Sequence, residues 1–212
     1  MTRAPSFCAV ILAAGESTRM GTDKALLPWP PYRAGLPSAG QTFLSAAIQS
    51  LNAFSDLVIV VVGKNEPQVA PVVYAEGAFV VRNPAPERGQ FSSLQVGLQE
   101  VLNHGRDAAI VTLVDRPPAN AATLTRLCEA FQAAPTSTWG IVPEYGGSHG
   151  HPVLWDREMM AVLLQAPVTS NAREVERQFQ EHIAYVVVDD PTVAVNINTP
   201  QDYEALAAPP LT

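Results

Sequence analysis

Short apolar runs punctuate this chain at intervals, and most of the stretches between them carry apolar residues at helical spacing. Phe7–Leu12 (FCAVIL), Leu57–Val62 (LVIVVV), Phe79–Val81, Ala108–Val114 (AAIVTLV), Trp139–Pro143 and Ile183–Val188 (IAYVVV) have strand length and are mostly rich in β-branched residues. Because they are continuous rather than alternating, they predict strands covered on both faces. A further short strand is predicted at Val153-Leu154, after the turn that begins at Gly146. Helices are predicted at Thr42–Phe54, where Phe43, Ala46, Ala47, Leu51 and Phe54 form one stripe, and from Ser92 to about Asn103. Others follow at Ala119–Ala134, Met159–Leu164 and Asn171–Gln180, the last with Val175 and Phe179 inward. Thr199–Asp202 fits a capping box, with Pro200 at the first helical position. Strands thus alternate with helices from end to end, without repeat or linker. The pattern predicts one α/β domain over residues 1–212, a Rossmann-like, mostly parallel sheet with helices on both faces and a site at the strand carboxyl ends.

Composition narrows the class. A length of 212 residues suits one large domain with a substantial core. The formal net charge of -7, from 13 basic and 20 acidic residues, lacks the basic footprint of a nucleic-acid binder. Two cysteines, Cys8 and Cys128, without C-x-x-C spacing give no zinc or disulfide pattern, and Cys8 reads as a packing residue of the first strand. No apolar run of membrane-spanning length occurs, and the N-terminus lacks a signal peptide's apolar centre. A cytoplasmic location without membrane association is expected.

The chemistry concentrates in Ala9–Lys24, AVILAAGESTRMGTDK. A buried strand breaks into Leu12-Ala13-Ala14-Gly15, a small-residue loop that lets backbone approach a ligand. Ser17, Arg19 and Lys24 follow within ten residues. Free backbone N–H groups and two cations after a buried strand suit a polyphosphate. The spacing is not a Walker loop, since five residues separate Gly15 from Gly21 and Thr22 comes next; nor is it the G-x-G-x-x-G dinucleotide fingerprint. Four more segments carry candidate groups. Asn83–Leu98 contains Gly89, Ser92 and Ser93 before a helix, which places donors at a positive helix end. Asp115 closes a buried strand, where ligands bind in open α/β sheets, although it could instead cap the next helix. Asn196 and Asn198 alternate with Val195 and Ile197, so both are expected on one side of a strand. In Gly146–His151 two histidines two residues apart could suggest metal ligation or proton transfer, but the plainer reading is that they shape a loop, with His149 a loop residue.

Ala9–Lys24 resembles the LAAGxSxRMGxxK signature of nucleotidyltransferases, in which Gly, Ser, Arg and Lys surround the triphosphate of an incoming NTP. The N…G…SSL…GL segment and the Gly-His-Pro-Val segment are similar to those of molybdenum cofactor cytidylyltransferases. Relatives in that family carry Gly-Asp-Gln-Pro where this chain has Val114-Asp115-Arg116-Pro117, and their Asp holds the divalent metal. Asn-x-Asn-Thr-Pro at Asn196–Pro200 is instead the guanylyltransferase form of an Asp-x-Asp-Thr-Pro motif. The segment Pro30–Gly40 is longer than the family's usual turn. Nearly the whole chain is therefore similar to the molybdenum cofactor nucleotidyltransferase family, nearer its cytidylyl branch.

The resemblance implies transfer of CMP from CTP onto a phosphorylated acceptor, molybdopterin in this family, with release of pyrophosphate. It implies Arg19, Lys24 and Asp115 as the catalytic set, with Leu12, Ala13, Ala14, Gly15, Ser17, Asn83, Gly89, Ser92 and Ser93 around the nucleotide. His151 would lie on the acceptor side, and Asp115, Asn196 and Asn198 would hold Mg²⁺, which an amide oxygen can bind. The implied partners are the NTP, the phosphorylated small molecule, and a molybdoenzyme or its chaperone. Three other readings are compatible with the residues. They are the same chemistry with GTP or another phosphorylated acceptor, a non-catalytic nucleotide-binding module, and a dinucleotide-dependent oxidoreductase, which the glycine spacing disfavours.

Overall fold

The computed structural model describes residues 6–15, 20–31 and 40–207. Its first strand, β1 (Phe7–Leu12), leads through a helical turn to a small antiparallel pair, β2 (Pro28–Trp29) with β3 (Gln41–Thr42). That pair closes the base of the Pro30–Gly40 segment, most of which, residues 32–39, lies outside the described residues. The chain continues as α1 (Phe43–Asn52), β4 (Leu57–Val62), α2 (Glu66–Ala75), β5 (Phe79–Arg82), α3 (Gln90–Asn103) and β6 (Ala108–Leu113). Then come α4 (Ala121–Ala133), β7 (Gly140–Tyr145), β8 (Ser148–His149), β9 (Val153–Asp156), α5 (Arg157–Gln165), α6 (Ala172–Gln178), β10 (Ile183–Val187) and α7 (Pro200–Ala207).

The main sheet runs β10-β7-β9-β6-β1-β4-β5, with β8 attached to β7. The pairings β6-β1, β1-β4, β4-β5 and β7-β10 are parallel, as the continuous apolar runs predict. Strand β9 is antiparallel to both β6 and β7, a reversal that the run Val153-Leu154 could not disclose. Side chains alternate across the sheet. Ala9, Ile11, Val58, Val60 and Val62 pack under α1, α2 and α4, whereas Cys8, Val10, Leu12, Ile59 and Val61 pack under α3, α5 and α6. Helices therefore cover both faces. Apolar side chains, not polar pairs, hold these two layers together, because burial of such groups is the main favourable term in folding.

Helix α3 packs tightly on the sheet. A Cβ at Gly97 would stand 2.6 Å from Val10 Cγ1 and 3.0 Å from Val61 Cγ2, so only glycine lets this helix seat directly on β1 and β4. That contact fixes where the amino end of α3 points.

Two elements depart from the sequence pattern. Helix α2 buries Val69, Ala70 and Val73 and carries Pro67 and Pro71; no helix was expected between Gly63 and Phe79. Pro67 stands in the first turn, where its missing N–H removes no helical bond. The segment Val195–Thr199, expected as a strand, pairs with no strand of the sheet. Its backbone bonds to loops instead, and this segment crosses the site.

Candidate active site

Strands β1, β4 and β6 end level, with Leu12 beside Val61 and Leu113, so their following loops converge. The Ala13 N–H donates to the Val61 carbonyl at 2.8 Å. Asn65 then ties three pieces together. Its Nδ2 donates to the Ala13 carbonyl at 2.8 Å and to Asp23 Oδ2 at 2.6 Å, and its Oδ1 accepts from the Gly63 N–H at 3.0 Å. A Cβ on Gly63 would stand 2.8 Å from the Ala14 carbonyl oxygen, so a side chain there would part the loops. Asp23 also caps the turn carrying Lys24 by accepting from Ala25 N–H.

This stitching brings Lys24 and Lys64, the chain's only lysines, to one cavity of about 590 Å³, along with Leu12, Ala14 and Gly15. Lys64 was missed in the sequence. It follows Gly63 at the end of a buried strand, the same position that drew attention to Asp115. Ser17 and Arg19 lie outside the described residues.

Asp115 forms part of the cavity wall. The Val114 N–H donates to the Leu12 carbonyl, which carries the chain directly over the site. Helix α4 is capped by Asn120, which accepts from Thr123 N–H at 2.8 Å, so the capping role open to Asp115 is filled by another residue. Lys24 Nζ lies 3.6 Å from Asp115 Oδ2 and 3.4 Å from Asn198 Oδ1. Asp115 Oδ1 is buried and has no hydrogen-bond partner. An unpaired carboxylate oxygen and an amide oxygen lining one cavity are donors of the kind a hard divalent cation such as Mg²⁺ takes, so these residues fit such an ion. Among the described residues no group of three His, Cys, Asp or Glu could hold a metal, so phosphate oxygens and water would complete its shell.

Asn196 departs from expectation. It is exposed and does not line the cavity, whereas Asn198 does. The reason is the start of α7: Asp202 Oδ2 accepts from the N–H of both Asn198 and Thr199 at 2.8 Å, turning the chain at Asn198. Thr199 Oγ1 in turn accepts from Asp202 N–H, which completes the expected capping box.

Helix α3 begins at Gln90, two residues earlier than predicted, behind Gly89 at φ +92°. Gly89, Gln90 and Ser93 line the cavity, and no side chain caps this helix, so its first N–H groups face the cavity end. Asn83 and Ser92 have a different role from the one expected. Asn83 is buried and its Nδ2 donates to Ser92 Oγ and Ser93 Oγ, both at 2.9 Å, while Ser92 Oγ donates to the Gly89 carbonyl at 2.7 Å. Their polar atoms hold the loop to the helix and do not reach the cavity.

A second concavity, about 1050 Å³, adjoins the first and shares Leu12, Gly89, Gln90 and Leu113 with it. His151 belongs here and not to the first cavity. Burial, with Arg116 and Arg173 nearby, pushes its imidazole down to about 3, so the ring is neutral. Its Nδ1 is buried without a partner. Glu176 on α6 is pushed up to about 7 by burial, which Arg173 partly offsets. Arg116 donates through Nη1 to the Val195 carbonyl at 2.9 Å, and burial lowers its pKa. The neighbouring Ile197 N–H donates to the Asp115 carbonyl at 2.8 Å and His151 N–H to the Val193 carbonyl at 3.0 Å. Residues 193–198 therefore form a strap fastened to Asp115, Arg116 and His151.

A twisted, mostly parallel α/β sheet with both lysines, a carboxylate and a free helix start at its strand ends defines a phosphate-handling enzyme class. More particularly, the chain belongs to the MobA-like NTP transferase domain family, which matches residues 9–185. The molybdenum cofactor nucleotidyltransferase family read from the sequence motifs is thereby borne out. The chain is similar to a probable molybdenum cofactor guanylyltransferase of Rhodopirellula baltica, at 28% identity over 93% of this chain and 90% of that one. It is also similar to the molybdenum cofactor cytidylyltransferase of Escherichia coli, at 23% identity over 92% of each. The crystal structure of Rv0371c from Mycobacterium tuberculosis superposes with a TM-score of 0.78 and 29% identity, covering 97% of this chain and 98% of that one. No helix among the described residues is long and apolar enough to cross a membrane.

Proposed function

We propose that the protein transfers CMP from CTP to the phosphate of molybdopterin and releases pyrophosphate. The observation that carries this reading is the pairing of two adjoining cavities. One holds Lys24, Lys64, Asp115 and the start of α3, and the other is lined by arginines. A nucleoside triphosphate suits the first and a phosphorylated acceptor the second.

In the step itself, a non-bridging oxygen of the acceptor's phosphate forms a bond to the α-phosphorus of the NTP. The bond from that phosphorus to the oxygen bridging to the β-phosphate breaks, and its electron pair leaves with pyrophosphate. A phosphate monoester is largely dianionic at neutral pH, with a second pKa near ~6, so no proton has to be removed. The neutral His151 is consistent with a site without a general base. The protein's work is positioning and charge neutralisation. Lys24 and Lys64 balance the triphosphate and the departing pyrophosphate, with Arg19 and Ser17 assigned the same task from the signature. Asp115 and Asn198 would hold Mg²⁺, which would draw the phosphate oxygens together and offset their charge. The α3 N–H groups and the backbone of Ala13–Gly15 supply neutral donors.

CTP as donor rests on the motifs around Gly15, Ser92 and His151. GTP is the second reading, supported by Asn-x-Asn and by the guanylyl names of most molybdenum cofactor relatives. Because Asn83 and Ser92 are engaged inside the protein, base choice falls to backbone groups of Ala13–Gly15 and of the loop before Gln90. The test measures pyrophosphate release with molybdopterin, Mg²⁺ and CTP and GTP in competition. Release with CTP ahead of GTP is expected; preference for GTP replaces the donor, and no release with any NTP sinks the reading. A nucleotide at a hundred times its dissociation constant should stabilise the protein by about 2.7 kcal/mol.

A further inference from the structure

We propose that Arg116 grips the phosphate of the acceptor and aims it at the donor, with Arg173 completing the cradle, so that the second cavity selects phosphate monoesters over uncharged analogues. This rests on the two-cavity reading above and assigns a contact to a residue for which the signature motifs have a different side chain.

The argument begins with charge. In a chain of net charge -7, the second cavity is lined by four arginines, Arg88, Arg116, Arg173 and Arg177, against the single carboxylate of Glu176. A concave surface of opposite sign to the whole molecule concentrates an anion. Three of these arginines are exposed, whereas Arg116 is half-buried. A guanidinium has five N–H donors in a fixed fork, which matches phosphate geometry. One of them, on Nη1, is anchored to the Val195 carbonyl, and Nε is buried without a partner in the protein. Buried donors are ordinarily paired, so an arginine held by one bond with donors left over is poised for a ligand. His151 Nδ1 is a second unpaired buried atom of the same cavity.

Position adds to this. Arg116 follows Asp115 directly, and the turn between Leu113 and Arg116 is closed by the Arg116 N–H donating to the Leu113 carbonyl at 3.1 Å. Leu113 belongs to both cavities, Asp115 to the first and Arg116 to the second. Successive residues thus face donor and acceptor across one backbone turn. A phosphate gripped by Arg116 stands at the boundary, where its oxygen can meet the α-phosphorus.

Phenyl phosphate, with phenol as its uncharged partner, is the probe, titrated by calorimetry into the wild-type protein and into Arg116→Gln, Arg173→Gln and Lys24→Ala. Wild type should bind phenyl phosphate and not phenol. Arg116→Gln should weaken it at least about tenfold, as expected for loss of a hydrogen bond to a charged group. Arg173→Gln should weaken it less, and Lys24→Ala should leave it unchanged. The thermal shift of Arg116→Gln by CTP or GTP with Mg²⁺ should match wild type, which also shows that the variant folds. In turnover, the same variant should raise the acceptor KM and leave the NTP KM alone. Equal affinity of wild type and Arg116→Gln for phenyl phosphate overturns the proposal. So does loss of the NTP shift with the phenyl phosphate affinity intact, since Arg116 would then serve the donor. If no NTP shifts any form while phenyl phosphate still depends on Arg116, the cradle stands and the nucleotidyl-transfer reading falls.

Discussion

At the scale of single residues, Lys24 shows how position singles out a side chain. It lies between Asp115 and Asn198, on a turn capped by Asp23. Lys24→Ala should keep the fold and reduce turnover about 10²–10³-fold, the usual effect of removing one charge-stabilising donor; pyrophosphate release alongside a melting curve checks both. Glu176 offers a test by pH. Its carboxyl is pushed up from 4.5 to about 7 by burial, so the folded protein holds this proton more tightly than the unfolded chain. That preference contributes stability below pH 4.5, which is lost as the pH rises through about 7. Glu176→Gln should therefore gain on wild type between these limits and hold its advantage above them; melting temperatures at pH 4.5 and pH 8 that differ equally would dispose of the effect. Gly15 and Asp115 were legible in the sequence as unlike residues that follow buried strands, and Lys24 as a cation in the motif that follows the first of them. The internal engagement of Asn83 and Ser92 was not, since a serine at a helix start reads the same whether it faces a ligand or a carbonyl. The outward turn of Asn196 depended on Asp202, whose bonds no alternation of apolar and polar residues encodes.

Elements were legible in proportion to how much of each is core. The strands β1, β4 and β6 fell where the continuous runs predicted because a strand buried on both faces admits almost no polar residue. Helix α2, with three buried positions and two prolines, was not expected, and the direction of β9 escaped because direction leaves no trace in composition. Helix α3 carries the element-scale prediction. With Gly97 2.6 Å from Val10 at an added Cβ, Gly97→Ala should destabilise by about 1–3 kcal/mol, as overpacking does. Because lifting α3 moves its first N–H groups away from the cavity, the variant should also raise the NTP KM. Chemical denaturation and steady-state kinetics on one preparation measure the two together. An unchanged NTP KM in a destabilised variant would separate α3's packing from its part in the site.

Over the whole molecule, the strap of residues 193–198 joins distant parts of the chain to the strand ends. Gly150 sits directly beneath it: an added Cβ would stand 2.0 Å from the Val193 carbonyl oxygen, which is itself bonded to His151 N–H. Gly150→Ala must displace the strap, and with it the anchors of Asp115 and Arg116. Turnover should fall by about 10²-fold, the scale on which a 1 Å misplacement is felt. A substitution at Gly15, where no other described residue lies within 4 Å of an added Cβ, should leave the melting temperature in place. Activity and melting temperature of the pair make the comparison. The shared wall of the two cavities has a kinetic consequence as well. On the proposed reading, the dinucleotide formed by the reaction would extend across Leu12, Gly89, Gln90 and Leu113, the residues shared by both cavities, and so would retain the contacts of the nucleoside in one and of the acceptor in the other. Only pyrophosphate is free to go at once. A tethered pair of ligands dissociates far more slowly than either alone, because each end keeps the other at high local concentration. The enzyme should thus release one equivalent of pyrophosphate in a rapid first turnover and then slow to the pace at which the dinucleotide departs.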